Sequence, residues 1–484
     1  MLKKPTAFNK FNFLKKDIVF LGIILFIFLS ISFYLSNLKP IWFDELFTFH
    51  LAQLSFQEIF ETLGAMDPHP PLHKFFTSIS FSLFGASVFS TRLPNIIFYA
   101  VAILIIYFTC KKLYGKKAAV ISSFLMLTCL GQVYAYEARP YSLVLMLTSI
   151  LIYLRVHTPT RKKYIYLFIA ITTAALVSSH YYAVFVPILI LLTSFNSYKK
   201  KTIDWFLIIS ILIGLSILIL YLPSIKKILI LRENNWASPN KEYFFKAIKR
   251  IYYPFIFLLI PIVFSLKNST NKLLYFLKNN TNISIVLSLI SSLIFIGFAF
   301  SFALGAFHLR YFIASLIGCV ILSSLIISNF NTKQLILSGI LFFSLFSYRI
   351  SKQITGLEIL KHSIEQRLSS VNDLKKEVPI YIEPYKLYMS MNFYTNKSRK
   401  RNIYQIIKNS QKENCKGCTA GLISVFGISK INPTFQIATI DELKEKNTPF
   451  YFLTEKNNTK NPIDFGTVQT IKSKGGLLLK ICYP

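Results

Sequence analysis

The stretch IVFLGIILFIFLSISFYL, residues 18–35, decides the fold class, because none of its residues is charged. An α-helix of roughly 20 apolar residues crosses a bilayer core about 30 Å thick. Similar runs recur at Ile203–Leu222 and Ile283–Leu304, and 53% of the 484 residues are hydrophobic whereas only 15% are charged. A soluble domain carries about 25% charged residues. The sequence therefore predicts an α-helical polytopic membrane protein.

The basic residues are distributed along the chain as expected for a membrane protein. The chain holds 54 Lys and Arg against 21 Asp and Glu, a net charge of +33. In a soluble protein this excess would indicate nucleic-acid binding, but before residue 350 most basic residues flank apolar runs, as in cytoplasmic loops. We therefore expect the lipid bilayer, and no nucleic acid, as a partner. The basic clusters alternate with about eleven predicted spanning helices, at residues 18–36, 92–110, 118–134, 141–156, 164–179, 181–196, 203–222, 250–266, 283–303, 309–327 and 334–350.

This alternation places the N-terminus in the cytoplasm and gives the membrane domain, residues 1–350, a long first outer loop at about 37–91. Within the loop, Pro71–Phe84 is apolar but too short to span, and a crossing there would move every later lysine cluster outside. We expect an interfacial helix there instead. The amphipathic spacing of His50–Leu63 predicts a second surface helix.

Residues 351–484 have only short apolar runs and predict a small extracytoplasmic C-terminal α/β domain. The predicted elements are strands at Val378–Glu383 and Gly421–Gly427, a helix at Pro384–Tyr394, and a hairpin at Thr467–Cys482 around Gly475-Gly476. Cys415 and Cys418 form a lone C-x-x-C pair. Such a pair is weak evidence for a metal site and is compatible with a disulfide in an outer domain.

Trp42-Phe43-Asp44-Glu45 follows the first predicted helix and carries two adjacent carboxylates. A carboxylate beside aromatic residues at an apolar boundary is desolvated, which moves its pKa toward that of a general base. Eight of the ten acidic residues before position 350 fall in predicted outer loops. This distribution indicates that a reaction would take place at the outer face. The alternative is structural, since Asp44 could cap the helix that follows.

The same loop contains Asp67-Pro68-His69-Pro70-Pro71-Leu72. Adjacent prolines fix the backbone and exclude a helix at that point. The turn would hold His69 at the membrane face, with His73 one turn later. The alternative is a stiff turn whose polar groups are solvated.

Three further predicted outer boundaries carry polar and aromatic side chains: Glu137-Ala138-Arg139-Pro140-Tyr141, Ser179-His180-Tyr181-Tyr182 and His308-Leu309-Arg310-Tyr311. Arg139 and Arg310 can each bind a phosphate through two hydrogen bonds. The alternatives are a local ion pair between Arg139 and Glu137, and an interfacial aromatic anchor at His180–Tyr182. Because all these segments map to one layer, they favour a substrate with a lipid tail and a phosphate head.

The ordered set Trp42–Glu45, Asp67–Leu72, Tyr136–Tyr141, His180-Tyr181-Tyr182 and Arg310-Tyr311 resembles the bacterial members of glycosyltransferase family 39. These are relatives of the protein O-mannosyltransferases and of the lipid A aminoarabinose transferases. The resemblance covers residues 1–350 and implies the membrane-embedded GT-C fold and a polyprenyl-phosphate-linked sugar as donor.

The resemblance also implies roles for residues. Asp44 would act at the reaction centre, Glu45 would complete the family's Asp-Glu pair, and Glu137 stands where the family often has Asp. The substrate would be bound by the remaining motif residues, Asp67, His69, Arg139, Tyr141, His180, Tyr181, Arg310 and Tyr311.

Together these observations predict a hexosyl- or pentosyltransferase of the plasma membrane that acts on a protein, lipid or glycan at the extracytoplasmic face. A base deprotonates the acceptor hydroxyl and cations neutralise the leaving phosphate, so inversion is expected. A transporter or flippase of lipid-linked substrates is an alternative, but such proteins place ionisable groups deep within spanning helices. A polymerase or ligase for lipid-linked glycans would share the topology. The sequence indicates no definite cofactor and leaves a divalent metal open.

Overall fold

Two compact units make up the chain, and the structure, a computed structural model, describes most of each. The described residues are 7–63, 69–157, 163–194, 203–230, 239–261, 287–304, 307–383, 385–395, 402–407, 428–429, 432, 434–445, 448–455, 467–474 and 477–483. Unit 1 comprises Met1–Ser36, Arg92–Tyr221 and Ala237–Lys352, and unit 2 comprises Asn37–Thr91, Leu222–Trp236 and Gln353–Pro484.

Helices account for nearly all of the described structure before residue 372, as the apolar runs predict. Their bounds are α1 (Ala7–Leu38), α2 (Phe43–Leu51), α3 (Phe56–Glu61), α4 (Leu72–Phe84), α5 (Val88–Tyr114), α6 (Lys116–Thr128), α7 (Gly131–Ala135), α8 (Tyr141–His157), α9 (Lys163–Ser179), α10 (Phe185–Leu191), α11 (Trp205–Leu215), α12 (Leu218–Ile230), α13 (Lys241–Leu259), α14 (Leu293–Leu304), α15 (Ser315–Ser328) and α16 (Thr332–Asn372). Short 3-10 turns precede α10 at Tyr181–Val184 and α15 at Leu309–Phe312.

Three helices among the described residues are long and apolar enough to cross a membrane on their own. They are Lys16–Leu38 within α1, α5 and α16, and the bent pair of α11 and α12 passes the same test as a fourth. Shorter apolar helices, α8, α9, α14 and α15 among them, accompany these. The chain is therefore a multi-pass membrane protein, and the number of spans stays a prediction.

Several predicted helices are interrupted. The helix predicted at 118–134 ends before Cys129, whose backbone is extended, and α7 follows as a separate short helix. The one predicted at 181–196 is split between a 3-10 turn and α10. The one predicted at 203–222 bends by 44° between α11 and α12, at Ser216-Ile217. Hydropathy stays high across these breaks, so it cannot reveal them.

Other helices extend beyond their apolar runs. The helix predicted at 250–266 begins at Lys241, because the side-chain oxygen of Asn240 accepts a backbone hydrogen bond in the first turn (2.7 Å). The helix predicted at 334–350 continues to Asn372. Its second half is rich in polar helix-forming residues, and hydropathy detects the membrane-spanning part of a helix rather than its end.

Buried charges tie the ends of helices together in unit 1. The guanidinium of Arg92, fully buried on α5, donates to the carbonyl of Ser36 in the last turn of α1 (2.6 Å). That last turn holds no basic residue of its own, so Arg92 supplies the positive charge that a helix C-terminus favours. Asp17 on α1 pairs with Lys111 of α5 and with Lys116 of α6 (2.9 Å).

Unit 2 contains a six-stranded mixed sheet. Its elements are β1 (Ile380–Ile382), α17 (Tyr385–Tyr394), β2 (Ile403–Ile407), β3 (Gln436–Thr439), α18 (Ile440–Glu445), β4 (Phe450–Glu455), β5 (Thr467–Lys474) and β6 (Leu477–Tyr483). The strand order is β3-β2-β1-β4-β6-β5. β1 pairs in parallel with β2 and β4, and β2 with β3, whereas β6 runs antiparallel to β4 and β5.

These elements confirm the first strand and the helix that the sequence predicts for the C-terminal region, and they confirm that Thr467–Cys482 pairs as two antiparallel strands. The predicted strand at Gly421–Gly427, the glycine pair Gly475-Gly476, and the cysteines Cys415 and Cys418 lie outside the described residues.

The segment Asn37–Thr91, which the sequence predicts to be the first outer loop, also belongs to unit 2. α4 begins directly after Pro71, as the prolines predict. The single helix predicted at His50–Leu63 is wrong, because the segment contains the end of α2 and a separate α3. Ser55 starts α3 with a reciprocal cap, in which its backbone N–H donates to the Glu58 carboxylate (2.8 Å) and its hydroxyl accepts from the Glu58 N–H.

Candidate active site

The Asp-Glu pair lies in the first turn of α2, where the helix dipole favours negative charge. Glu45 is fully buried, accepts a hydrogen bond from the backbone N–H of Trp42 (3.4 Å), and forms an ion pair with Lys39 (3.5 Å). Asp44 is half-buried. The residue at the cap position is Trp42, not Asp44. Glu45 therefore holds the start of the helix, and Asp44 is the more exposed carboxylate of the pair.

His69 lies in the turn that leads into α4, and a buried lysine closes that turn. The ammonium of Lys74, only 3% exposed, donates to the carbonyls of His69 (3.0 Å) and Pro70 (3.4 Å). His73 beside it is also buried. This arrangement supports the prediction that the turn holds His69 in a fixed place. Asp67 lies outside the described residues.

In unit 1 a buried asparagine fixes the Glu137–Arg139 segment. The side-chain amide of Asn95, which is fully buried on α5, donates to the carbonyls of Glu137 and Arg139 (2.6 Å to the second). The hydroxyl of Ser142 donates to the Tyr134 carbonyl and closes the same segment (2.8 Å). Arg139 is buried and Glu137 half-buried. The two candidate side chains are thus carried by a backbone that has little freedom.

Tyr141, His180, Arg310 and Tyr311, from three distant parts of the chain, form one cluster in unit 1. The guanidinium of Arg310 lies 5.8 Å from the centre of the Tyr141 ring, within cation–π range. The His180 ring is 5.8 Å from Tyr141 and 5.3 Å from Tyr311. Tyr182 stacks on Tyr311 at 5.0 Å. Arg310 is 8% exposed and His180 4%, so the cluster offers a largely desolvated positive charge beside the Tyr141 ring.

Two histidines fix the backbone of the segments that carry this cluster, and both do so through a ring nitrogen. The ring nitrogen Nδ1 of His180 accepts from the N–H of Tyr182 (3.3 Å), and Nδ1 of His308 accepts from the N–H of Arg310 (3.3 Å). Each histidine thereby caps a 3-10 turn, which directs the following side chains into the cluster. Tyr181 instead contacts Tyr221 (6.0 Å).

Three polar residues that sequence reasoning missed contribute to these arrangements: Lys39, Lys74 and Asn95. Lys74 and Asn95 could have been noticed in the sequence, because each is a polar residue inside an otherwise apolar predicted helix. Within the part of the chain that the structure describes, no group of three His, Cys, Asp or Glu side chains is arranged to hold a metal ion.

Comparisons with known proteins agree with this picture. Residues 68–224 match the family model described as dolichyl-phosphate-mannose-protein mannosyltransferase, which confirms the resemblance over that part of the chain. A search of the curated proteins found no match.

Solved structures match over nearly the whole chain. ArnT from Cupriavidus metallidurans matches in its apo state with a TM-score of 0.63 at 12% identity, and bound to undecaprenyl phosphate with a TM-score of 0.60 at 11% identity. Both matches cover 96% of this chain and 98% of ArnT. The oligosaccharyltransferase AglB from Archaeoglobus fulgidus, in complex with an inhibitory peptide and a dolichol-phosphate, matches with a TM-score of 0.51 at 10% identity over 92% of this chain and 70% of AglB. The fold is therefore that of the GT-C membrane glycosyltransferases.

Proposed function

We propose that this chain, a GT-C-fold membrane glycosyltransferase that uses a lipid-linked donor, moves one hexosyl or pentosyl group from a polyprenyl phosphate to an acceptor hydroxyl on the extracytoplasmic face of the plasma membrane. The observation that carries the proposal is the unit 1 cluster, in which the buried Arg310 lies over the ring of Tyr141, and His180 links Tyr141 to Tyr311. A desolvated guanidinium beside an aromatic ring suits a phosphate that arrives on an apolar tail.

The donor class is supported by both comparisons. One similar structure holds undecaprenyl phosphate and another a dolichol-phosphate. The family model that matches residues 68–224 is named for dolichyl-phosphate-mannose donors. The acceptor here stays open among protein, lipid and glycan.

In the proposed reaction Asp44 takes the proton of the acceptor hydroxyl. The acceptor oxygen then bonds to C1 of the sugar, the bond from C1 to the phosphate oxygen breaks, and polyprenyl phosphate leaves with the electron pair. Arg139 and Arg310 neutralise the charge that develops on this phosphate. Because the acceptor attacks C1 directly, the configuration there inverts. Glu45 is held by Lys39 and supports the helix start rather than the proton transfer.

A flippase or transporter is the second candidate, and the structure offers it less support. Ionisable groups that serve ion-coupled transport lie deep inside spanning helices. Here Arg92, Arg139 and Arg310 lie at helix ends or in short connections. A lipid-linked glycan polymerase or ligase would transfer a whole oligosaccharide, so the mass of the product distinguishes it from a single-sugar transferase.

The test uses purified full-length chain in lipid nanodiscs with a panel of undecaprenyl-phosphate hexoses and pentoses. Membrane extract from cells that lack the gene provides the acceptor, and mass spectrometry follows the product. The expected product gains one sugar residue, and Asp44→Asn abolishes most of the gain. Release of no sugar from any donor, with each lipid instead moved across the bilayer, would support the flippase.

A further inference from the structure

We propose that the C-terminal domain, residues 353–484, is part of the catalytic apparatus, because its helix α17 positions α2 and thereby Asp44. Tyr394 is the principal positioning residue, and Tyr385 supports it. The inference rests on the proposed role of Asp44 as the base. It assigns a function to a region that the family model, which matches residues 68–224, does not cover.

The core of the C-terminal sheet includes residues of the first outer loop. Ile41, Leu46 and Phe47 are at most 7% exposed and belong to the same buried cluster as side chains of β1, β2, β4 and α17. The partners from those elements include Ile380 and Ile382 of β1, Met389 and Met391 of α17, Ile403 of β2 and Leu453 of β4. Asp44 thus lies between apolar positions that the C-terminal domain buries, and the sheet fixes the face that α2 presents.

A hydrogen bond with the C-terminal domain helps to fix the entry of the chain into α2. The backbone N–H of Ile41 donates to the phenol oxygen of Tyr394 (2.7 Å). Ile41 comes immediately before Trp42, the residue at the cap position. The bond joins positions 353 residues apart, at the last residue of α17 and three residues before the proposed base.

Aromatic contacts hold the two ends of α2 against the C-terminal domain. Near its start, Phe43 meets Tyr385 edge to face at 5.0 Å. Near its end the contacts are Phe49 with Phe393 at 5.3 Å and His50 with Phe435 at 4.9 Å, both nearly perpendicular. Edge-to-face pairs have a preferred geometry, so they resist rotation of the helix about its axis as well as its displacement.

This placement matters for the reaction because a general base acts within about 2.6–3.2 Å of the proton that it removes. A shift of about 1 Å in a catalytic group can lower a rate by roughly a hundredfold. Loosening α17 should therefore slow the chemical step and leave donor binding, which the proposal assigns to unit 1, almost unchanged.

The test compares Tyr394→Phe with the control Tyr404→Phe, in the full-length chain and with the undecaprenyl-phosphate sugar that the wild type uses. Tyr404 stacks on Tyr381 at 5.0 Å in the same sheet, against a different buried cluster. We expect Tyr394→Phe to lower kcat roughly tenfold with little change in the KM for the donor, and Tyr404→Phe to leave both unchanged. Tyr385→Leu, which removes the ring contact, should also lower kcat.

A double variant separates positioning from a general structural role. If Tyr394 acts through Asp44, Tyr394→Phe has almost no further effect on the residual rate of Asp44→Asn. An equal fractional loss in both backgrounds, or wild-type kcat for both Tyr394→Phe and Tyr385→Leu, overturns the inference. If Asp44→Asn itself retains the wild-type rate, the proposed function has failed instead.

Discussion

Replacing Glu45 by alanine is expected to destabilise unit 2, whereas replacing Asp44 by asparagine is expected to abolish transfer without destabilising it. Glu45 is fully buried and pairs at 3.5 Å with Lys39, which is itself only 7% exposed. Removing one partner of a buried ion pair costs about 3–5 kcal/mol, because the other charge stays buried. For a unit of about 200 residues this lowers the unfolding temperature by roughly 6–20 °C.

Asp44 is half-buried and lies inside the first turn, so its asparagine variant loses the favourable interaction of its charge with the helix dipole, about 0.3–1 kcal/mol. The amide cannot take a proton, so transfer should fall by roughly two to four orders of magnitude. Thermal unfolding in detergent and transfer in nanodiscs measure the two effects. Glu45→Gln, which retains an acceptor for the Trp42 N–H, should lie between Glu45→Ala and wild type in stability. Equal destabilisation by Asp44→Asn and Glu45→Ala would refute this division of roles.

Three further predictions follow from unit 1 and from α16. Arg310→Ala should weaken donor binding ten- to a hundredfold, about 1.5–3 kcal/mol, while Lys333→Ala, at an exposed position, should leave it unchanged. If calorimetry gives Arg310→Ala the same donor affinity as the wild type, Arg310 is not part of the site. Asn95→Leu removes the amide that binds the carbonyls of Glu137 and Arg139, so it should lower the unfolding free energy by about 2–4 kcal/mol and raise the KM for the donor. A donor KM equal to that of the wild type would show that Asn95 does not support the phosphate site. A reporter fused after Lys117 should be cytoplasmic and one fused after Asn372 extracytoplasmic, and finding both on one side contradicts the predicted topology.

Local sequence was enough to predict the class of protein and many of the candidate site residues. A run such as residues 18–35 predicts a membrane helix whatever the rest of the chain does. In lipid the backbone N–H and C=O groups must form hydrogen bonds within the segment, and the side chains must be apolar, so both requirements are local. The adjacent prolines likewise predict where α4 begins. The motifs around Arg139 and Arg310 were recognisable as short ordered segments, since a phosphate site needs particular side chains at the ends of helices.

The tertiary structure decided how those segments are held. That Tyr141, His180 and Arg310 share a cluster depends on how separate helices pack, which no spacing along the chain encodes. The structure also assigned the helix-holding role to Glu45, because only folding reveals which carboxylate is buried beside Lys39.

A polytopic helical protein with polar motifs at the ends of its helices could be predicted without the structure, because hydropathy acts over the length of one helix. That α2 belongs to the core of the C-terminal sheet follows from the tertiary fold. The hydrogen bond from Ile41 to Tyr394 joins residues 353 positions apart, and its geometry depends on every element folded between them. Contacts of that range arise from the packing of whole elements, whereas the periodicity of a helix is set by its own residues.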